Sequence, residues 1–204
     1  AMYDFLIHSF FSEKTDRESI PKEIPLGLKK ISSLRYGENP HQSAGLYVSY
    51  KQNDSLTNAK IHQGKELSYN NLVDVDCAYS CVQQFLKPAC VIVKHANPCG
   101  VSESSSIDLA YQRSFKCDPI SSFGGIIAIN RRLTLKLLVK ILNKQFVEVI
   151  VTPSADKTCL DELKKKPNVR LLIIRNTKKR QKSYEIKSLK NKLLIQTIDN
   201  KEIT

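Results

Sequence analysis

Apolar positions along the chain fall into two kinds of run. Continuous blocks such as Cys90–Val93 (CVIV), Gly124–Ile129 (GGIIAI), Val147–Val151 (VEVIV) and Val169–Ile174 (VRLLII) read as buried strands. Between them, apolar residues recur every third or fourth position, the period of an amphipathic helix. Leu72, Val73, Cys77, Ala78, Cys81, Val82 and Phe85 keep that spacing and predict a helix over Val73–Phe85, with Asn70 or Asn71 as its N-cap and Pro88 ending it. Ser104–Ser106 can cap a second helix running to Phe115, which Asp118-Pro119 breaks. Leu133–Leu142 and Asp156–Lys165 give two more helices, and Ala44–Tyr50 and Leu193–Thr197 suit strands. The polar stretch Ser12–Lys30, with Pro21 and Pro25, reads as a connecting segment, and the opening AMYDFLIHSFF as a piece of helix. Strands alternating with helices predict a layered α/β domain with a mixed, largely parallel sheet.

Composition narrows the class. A chain of 204 residues, 41% hydrophobic, can bury one sizeable core. No apolar run approaches the ~20 residues that span a bilayer, and no signal pattern opens the sequence, so a cytoplasmic location without membrane contact is expected. The six cysteines form no C-x-x-C pair and read as reduced, mostly core-filling residues. Cys77 and Cys81 share a helix face, but no further ligand follows at metal spacing. The net charge of +12 is uneven: Lys157–Thr204 holds 14 Lys/Arg against 5 Asp/Glu, densest at KKRQK, Lys178–Lys182. Such a stretch can bind nucleic acid through phosphate charge, but Tyr184 is its one aromatic residue. A solvated lysine-rich surface is therefore the favoured reading, with nucleic acid an unlikely partner.

The chemistry gathers at VIVKHANPCG, Val91–Gly100. Lys94 and His95 stand where an apolar strand turns polar, and open α/β sheets present ligands at the carboxyl ends of strands. A histidine there suits proton transfer, and a lysine can stabilise an oxyanion or donate a proton. The pair read alone is equally a surface lysine beside a structural histidine. A zinc deaminase would need H-x-E followed by P-C-x-x-C. Here Asn97 replaces the glutamate and Ser102 the second cysteine, which disfavours zinc hydrolysis. Two glycine-bearing segments could hold a phosphate: RYGENPHQ, with Arg35 beside a turn, and SSFGG, with Gly124 and Gly125. The glycines could equally serve close strand packing.

The stretches LRYGENPHQ, GKELSYNNLVDVD, PACVIVKHANPCGV, DPISSFGGIIAIN and QFVEVIVTPSA, in this order and spacing, resemble the transformylase part of the AICAR transformylase/IMP cyclohydrolase family. The resemblance implies a cytidine-deaminase-like α/β subdomain without catalytic zinc. It implies formyl transfer from the co-substrate 10-formyltetrahydrofolate to the 5-amino group of AICAR, giving FAICAR in de novo purine biosynthesis. Lys94 and His95 match the family's catalytic pair. His95 would take the proton of the weakly nucleophilic amine, and Lys94 would stabilise the formyl oxygen or protonate the leaving folate nitrogen. Arg35, Tyr36, Asn71, Gly124 and Glu148 match its nucleotide contacts, with Arg35 the choice for phosphate. The family works as a homodimer. Residues 1–30 resemble the end of the cyclohydrolase domain and its linker. Residues 31–204 match the first of two deaminase-like halves, ending in the basic segment. The second half supplies further substrate contacts, so little transformylase activity, and no cyclohydrolase activity, is expected of these 204 residues alone. Two other classes stay open: a basic nucleic-acid-binding protein, and a non-catalytic subunit that pairs with the missing half.

Overall fold

The computed structural model describes residues 20, 22–24, 26–49, 60–64, 66–174 and 184–199. The opening AMYDFLIHSFF and the KKRQK cluster lie outside them. The chain divides into two compact units, Lys30–Asn176 and Ala1–Lys29 with Thr177–Thr204. In the smaller unit, β9 (Tyr184–Leu189) and β10 (Lys192–Thr197) pair antiparallel, Leu189 opposite Lys192. No described helix is long and apolar enough to cross a membrane.

The larger unit is a three-layer α/β domain. Its elements in chain order are β2 (Ala44–Ser49), which pairs with β1 (Leu28–Leu34), then β3 (Lys60–Ile61), α1 (Tyr69–Val82), β4 (Ala89–Lys94), β5 (Asn97–Glu103), α2 (Ile107–Cys117), β6 (Gly125–Ile129), α3 (Leu135–Lys144), β7 (Val147–Thr152), α4 (Lys157–Lys164) and β8 (Arg170–Ile173). The central sheet has the order β3-β8-β7-β6-β4-β5. It is mixed, as expected, but not largely parallel: two of its five pairings are parallel and three antiparallel. Its parallel part is confined to β6, β7 and β8, while β4 runs antiparallel to both β5 and β6, and β3 to β8.

The strand periodicity explains the layers. Along β4, Cys90 and Ile92 face one core while Ala89, Val91 and Val93 face the other. The first core is closed by α2, α3 and α4 through Ala110, Tyr111, Leu137, Leu138, Ile141, Cys159 and Leu163; the second by α1 through Val75, Ala78 and Val82. Each fully buried leucine or isoleucine contributes about 2 kcal/mol. The small face of α2 lets it approach the sheet closely. Ser114 donates its hydroxyl to the Cys90 carbonyl at 2.7 Å, and its own backbone lies against Gly100 of β5.

Several local expectations change. The N-cap of α1 is Ser68, not Asn70 or Asn71. Its hydroxyl accepts the Asn71 N–H at 3.2 Å, and Asn71 Oδ1 accepts the Ser68 N–H at 3.3 Å. This is a capping box with asparagine in the place usually held by glutamate or glutamine. The helix ends at Val82, well before Pro88. Only Cys90 and Cys159 are core cysteines; Cys77, Cys81 and Cys99 are half-buried and Cys117 is exposed.

Candidate functional site

The stretch after CVIV turns back on itself as a β-hairpin. Lys94 pairs with Asn97, so His95 and Ala96 alone make the turn. Their φ angles are 55° and 57°. Two left-handed central residues define a type I′ turn, whose backbone twist matches that of the strands. Asn-Gly normally announces such a turn, and His-Ala hid it. β5 is also bulged: Ile92 pairs with Gly100 and Val93 with Pro98, leaving Cys99 as the extra residue. A bulge is one of the few places in a sheet that tolerates proline. Burial falls steeply along the tip, from Val93 (fully buried) through Lys94 (half-buried) to His95 (exposed).

One helix organises what surrounds this tip. Asp74 of α1 accepts the Ala96 N–H at 2.6 Å and the His95 N–H at 3.3 Å. Cys77, on the same helix face, donates its thiol to the Ala96 carbonyl at 3.4 Å. Four residues before Asp74, Asn70 donates its amide to the Glu38 carbonyl at 3.2 Å, tying down the RYGENPHQ loop. Positions four apart lie one above the other on a helix, so loop and hairpin tip meet one edge of α1. Between them in sequence, Asn71 donates to Glu148 Oε2 at 2.8 Å. Asn71 is 7% exposed, and both ends of its side chain are engaged within the fold.

The glycine segment approaches from the sheet side. Lys94 Nζ donates to the Phe123 carbonyl at 2.8 Å, joining the hairpin tip to the residue before Gly124. Asp118 frames that turn: its carboxylate accepts the Ile120 N–H at 3.1 Å, the Ser121 N–H at 2.9 Å and the Ser121 hydroxyl at 2.5 Å. These bonds, the Ser121 hydroxyl foremost, hold its carboxyl below the ordinary range. Gly124 has φ +75°, a conformation that favours glycine. Its N–H donates to the Phe146 carbonyl at 2.9 Å, and that of Gly125 to Ser122 at 3.1 Å. The amides expected to face a phosphate are thus spent within the backbone. The same holds in the arginine loop, where the Gly37 and Gln42 N–H groups bond across the turn.

Glu148 reaches the site through a second bulge. Gly125 pairs with Val147 but Ile126 pairs with Val149, so Glu148 is the extra residue of β7. Without it, strict alternation would give Val147 and Val149 one face. Instead Val147 joins the core under α2–α4 and Val149 the core under α1. The bulge re-aims a carboxylate towards α1, a recurrent use of bulges beside functional sites.

The strand-end expectation holds for Lys94 but not for the groups it meets. Lys94 lies at the carboxyl end of β4, but Gly124 and Glu148 lie at the amino ends of the parallel strands β6 and β7. They meet because β4 is antiparallel to β6. The rule for parallel sheets would have placed the site at the opposite edge.

Electrostatics at the tip are mixed. The Cys99 thiol is pushed up by burial and by Asp118, and pulled down by Lys94. Burial, followed by Cys81, Asp74 and Asp76, raises Cys77. A cavity of about 600 Å³ opens nearby, lined by Phe123, Gln145, Phe146, Lys165, Lys166 and Asn168 among others. The Phe123 and Phe146 rings meet at a tilt of 42°, with centroids 5.6 Å apart. Lys94, His95, Arg35, Gly124 and Gly125 do not line this cavity. Arg35 is exposed, 5.5 Å above the ring of half-buried Tyr36. The structure thus unites Lys94, His95, Gly124, Asn71 and Glu148 along one edge, and links Arg35 and Tyr36 to it through Glu38. Sequence reading missed Asp74. Its signal is an acidic residue one turn into α1, with no cation three or four positions away.

Comparison with known proteins matches this organisation to a family. The model of the AICARFT/IMPCHase bienzyme matches residues 1–204. The chain is 44% identical over 211 residues to a bifunctional purine biosynthesis protein PurH of Buchnera aphidicola subsp. Schizaphis graminum, covering 100% of this chain and 40% of that protein. It is 43% identical over 211 residues to PurH of Xylella fastidiosa strain 9a5c, with the same coverage. It therefore spans about 40% of the length of these curated relatives. Among solved structures, Acinetobacter baumannii RibD overlaps 49% of this chain and 35% of its own at 12% identity and a TM-score of 0.39, too low to carry an argument. On the family match over its whole length, the chain belongs to the AICARFT/IMPCHase bienzyme family.

Proposed function

We propose that this chain carries the catalytic-pair half of an AICAR transformylase site, used in purine biosynthesis. The observation that carries the reading is the 2.8 Å bond from Lys94 Nζ to the Phe123 carbonyl, which joins the lysine–histidine tip to the glycine turn. In this reading AICAR lies along the α1 edge. The exposed Arg35 guanidinium meets its phosphate, Tyr36 and the Gly124 backbone flank it, and Glu148 accepts from its polar groups. Asn71 acts through Glu148, fixing that carboxylate.

Formyl transfer forms a bond from the AICAR amine nitrogen to the formyl carbon of 10-formyltetrahydrofolate and breaks the bond from that carbon to the folate nitrogen. His95 takes the proton the amine loses. Lys94, an ammonium with three donors of which one is engaged by Phe123, offers the others to the formyl oxygen or the departing nitrogen. The remaining substrate contacts, and a homodimeric arrangement in the cytoplasm, are those of the family.

The test is a titration of the isotope-labelled chain with AICAR, followed at the Lys94, His95 and Glu148 resonances, beside a formyl-transfer assay. The expected result is weak, localised binding without turnover. Binding scattered over the lysine-rich segment instead would refute the nucleotide reading. Turnover by the isolated chain, abolished in His95→Ala, would refute the half-site reading.

A further inference from the structure

The His95–Ala96 turn has a poor sequence for its shape. Both residues are left-handed; histidine enters this region more readily than most residues, but alanine does not, and Ala96 is neither glycine nor a short polar residue. Something outside the turn must hold it. All four backbone polar groups of these two residues are occupied. Asp74 takes both N–H groups, Asn97 Nδ2 donates to the His95 carbonyl at 2.8 Å, and Cys77 donates to that of Ala96. The carboxylate supplies the strongest of these, since bonds to an ionised acceptor are about twice as strong as neutral ones.

We infer that Asp74 is a positioning residue for His95. It spends its charge on the turn's backbone and so fixes the direction of the histidine Cα–Cβ bond, leaving the imidazole only its own rotamers to explore. The inference rests on the reading of Lys94 and His95 as the catalytic pair, and gives that pair its means of orientation. Asp74 reaches the chemistry only through the backbone.

The test uses the full chain with Asp74→Asn, Asp74→Glu, Ala96→Gly and the double variant Asp74→Asn/Ala96→Gly. Amide hydrogen exchange at His95 and Ala96 is read without ligand, and AICAR is titrated against the His95 ring resonances. Loss of one charge-assisted bond predicts exchange at Ala96 faster by about tenfold in Asp74→Asn and AICAR binding weaker by a similar factor. Asp74→Glu, which keeps the charge but displaces it by one methylene, behaves likewise and guards against a folding defect peculiar to the first variant. Ala96→Gly, free to adopt a positive φ, restores AICAR binding in the double variant. A residue needed only for overall stability would not be rescued by a change confined to the turn. Wild-type exchange rates in both Asp74 variants, or, where the wild type binds AICAR, failed rescue by Ala96→Gly, overturn the inference. Ring resonances of the wild type that ignore AICAR count against the nucleotide reading alone, and the exchange arm still decides the role of Asp74.

Discussion

Replacing Gly100 by alanine tests how the hairpin that carries Lys94 and His95 is seated. Gly100 lies in β5 opposite Ile92, under the backbone of α2. A Cβ there would overlap the Ser114 carbonyl oxygen and lie 2.8 Å from its carbon and 3.2 Å from its Cα. All three atoms are backbone, so no rotamer change relieves the clash; helix and strand must separate, by roughly 1 Å or more for ordinary contact. The helix is anchored by fully buried Ala110, Tyr111 and Ser114, and moving it lengthens the Ser114–Cys90 bond. Overpacking of a rigid interface costs about 1–3 kcal/mol, and a backbone clash belongs at the upper end. At about 3 kcal/mol, the melting temperature falls by roughly 6–12 °C for a chain of this size. Gly124→Ala is the control. Its Cβ meets nothing closer than 3.7 Å, so it bears only the left-handed penalty of about 1–2 kcal/mol. Thermal unfolding followed by circular dichroism compares the two. A Gly100→Ala protein melting within about 2 °C of wild type, or later than Gly124→Ala, would refute the reasoning.

Other outcomes follow from the same contacts. Asn71→Ala removes the acceptor for the Ser68 N–H and the donor to Glu148, and should cost about 1–2 kcal/mol in a urea titration while loosening Glu148. Burial pushes the Cys90 thiol up from 9.0 to about 12. Above pH 9 the unfolded chain gives up this proton while the folded chain keeps it, so stability falls as pH rises from about 9 to 12. Urea midpoints should therefore drop between pH 8 and pH 10, less steeply in Cys90→Ala. Burial raises Tyr111 as well, in the same sense. Retention on a polyanion column that falls steeply with salt and is unaffected by AICAR is the outcome expected of a nucleic-acid-binding Lys157–Thr204 segment; weak retention is expected if that charge is only a solvated surface.

Much of this protein is written locally. Continuous apolar blocks marked β4, β6, β7 and β8 because strands covered on both faces need apolar side chains in both directions. Serine ahead of a periodic segment marked the helix start at Ser106, because its hydroxyl satisfies a free N–H group, whereas Thr134, which caps α3, was read as lying inside a helix over Leu133–Leu142. The Lys-His pair at a strand end was equally legible. What tertiary structure alone decided was direction and register. That β4 runs against β6 brings a carboxyl end beside two amino ends, and no residue in either strand encodes the sense of its neighbour. Glu148 faces α1 because one extra residue interrupts an alternation that the run VEVIV, apolar on both sides, cannot reveal. The His95–Ala96 turn is left-handed because Asp74, distant in sequence, holds it so against its own preference. Local composition sets which backbone states are cheap, and only the assembled contacts select an expensive one.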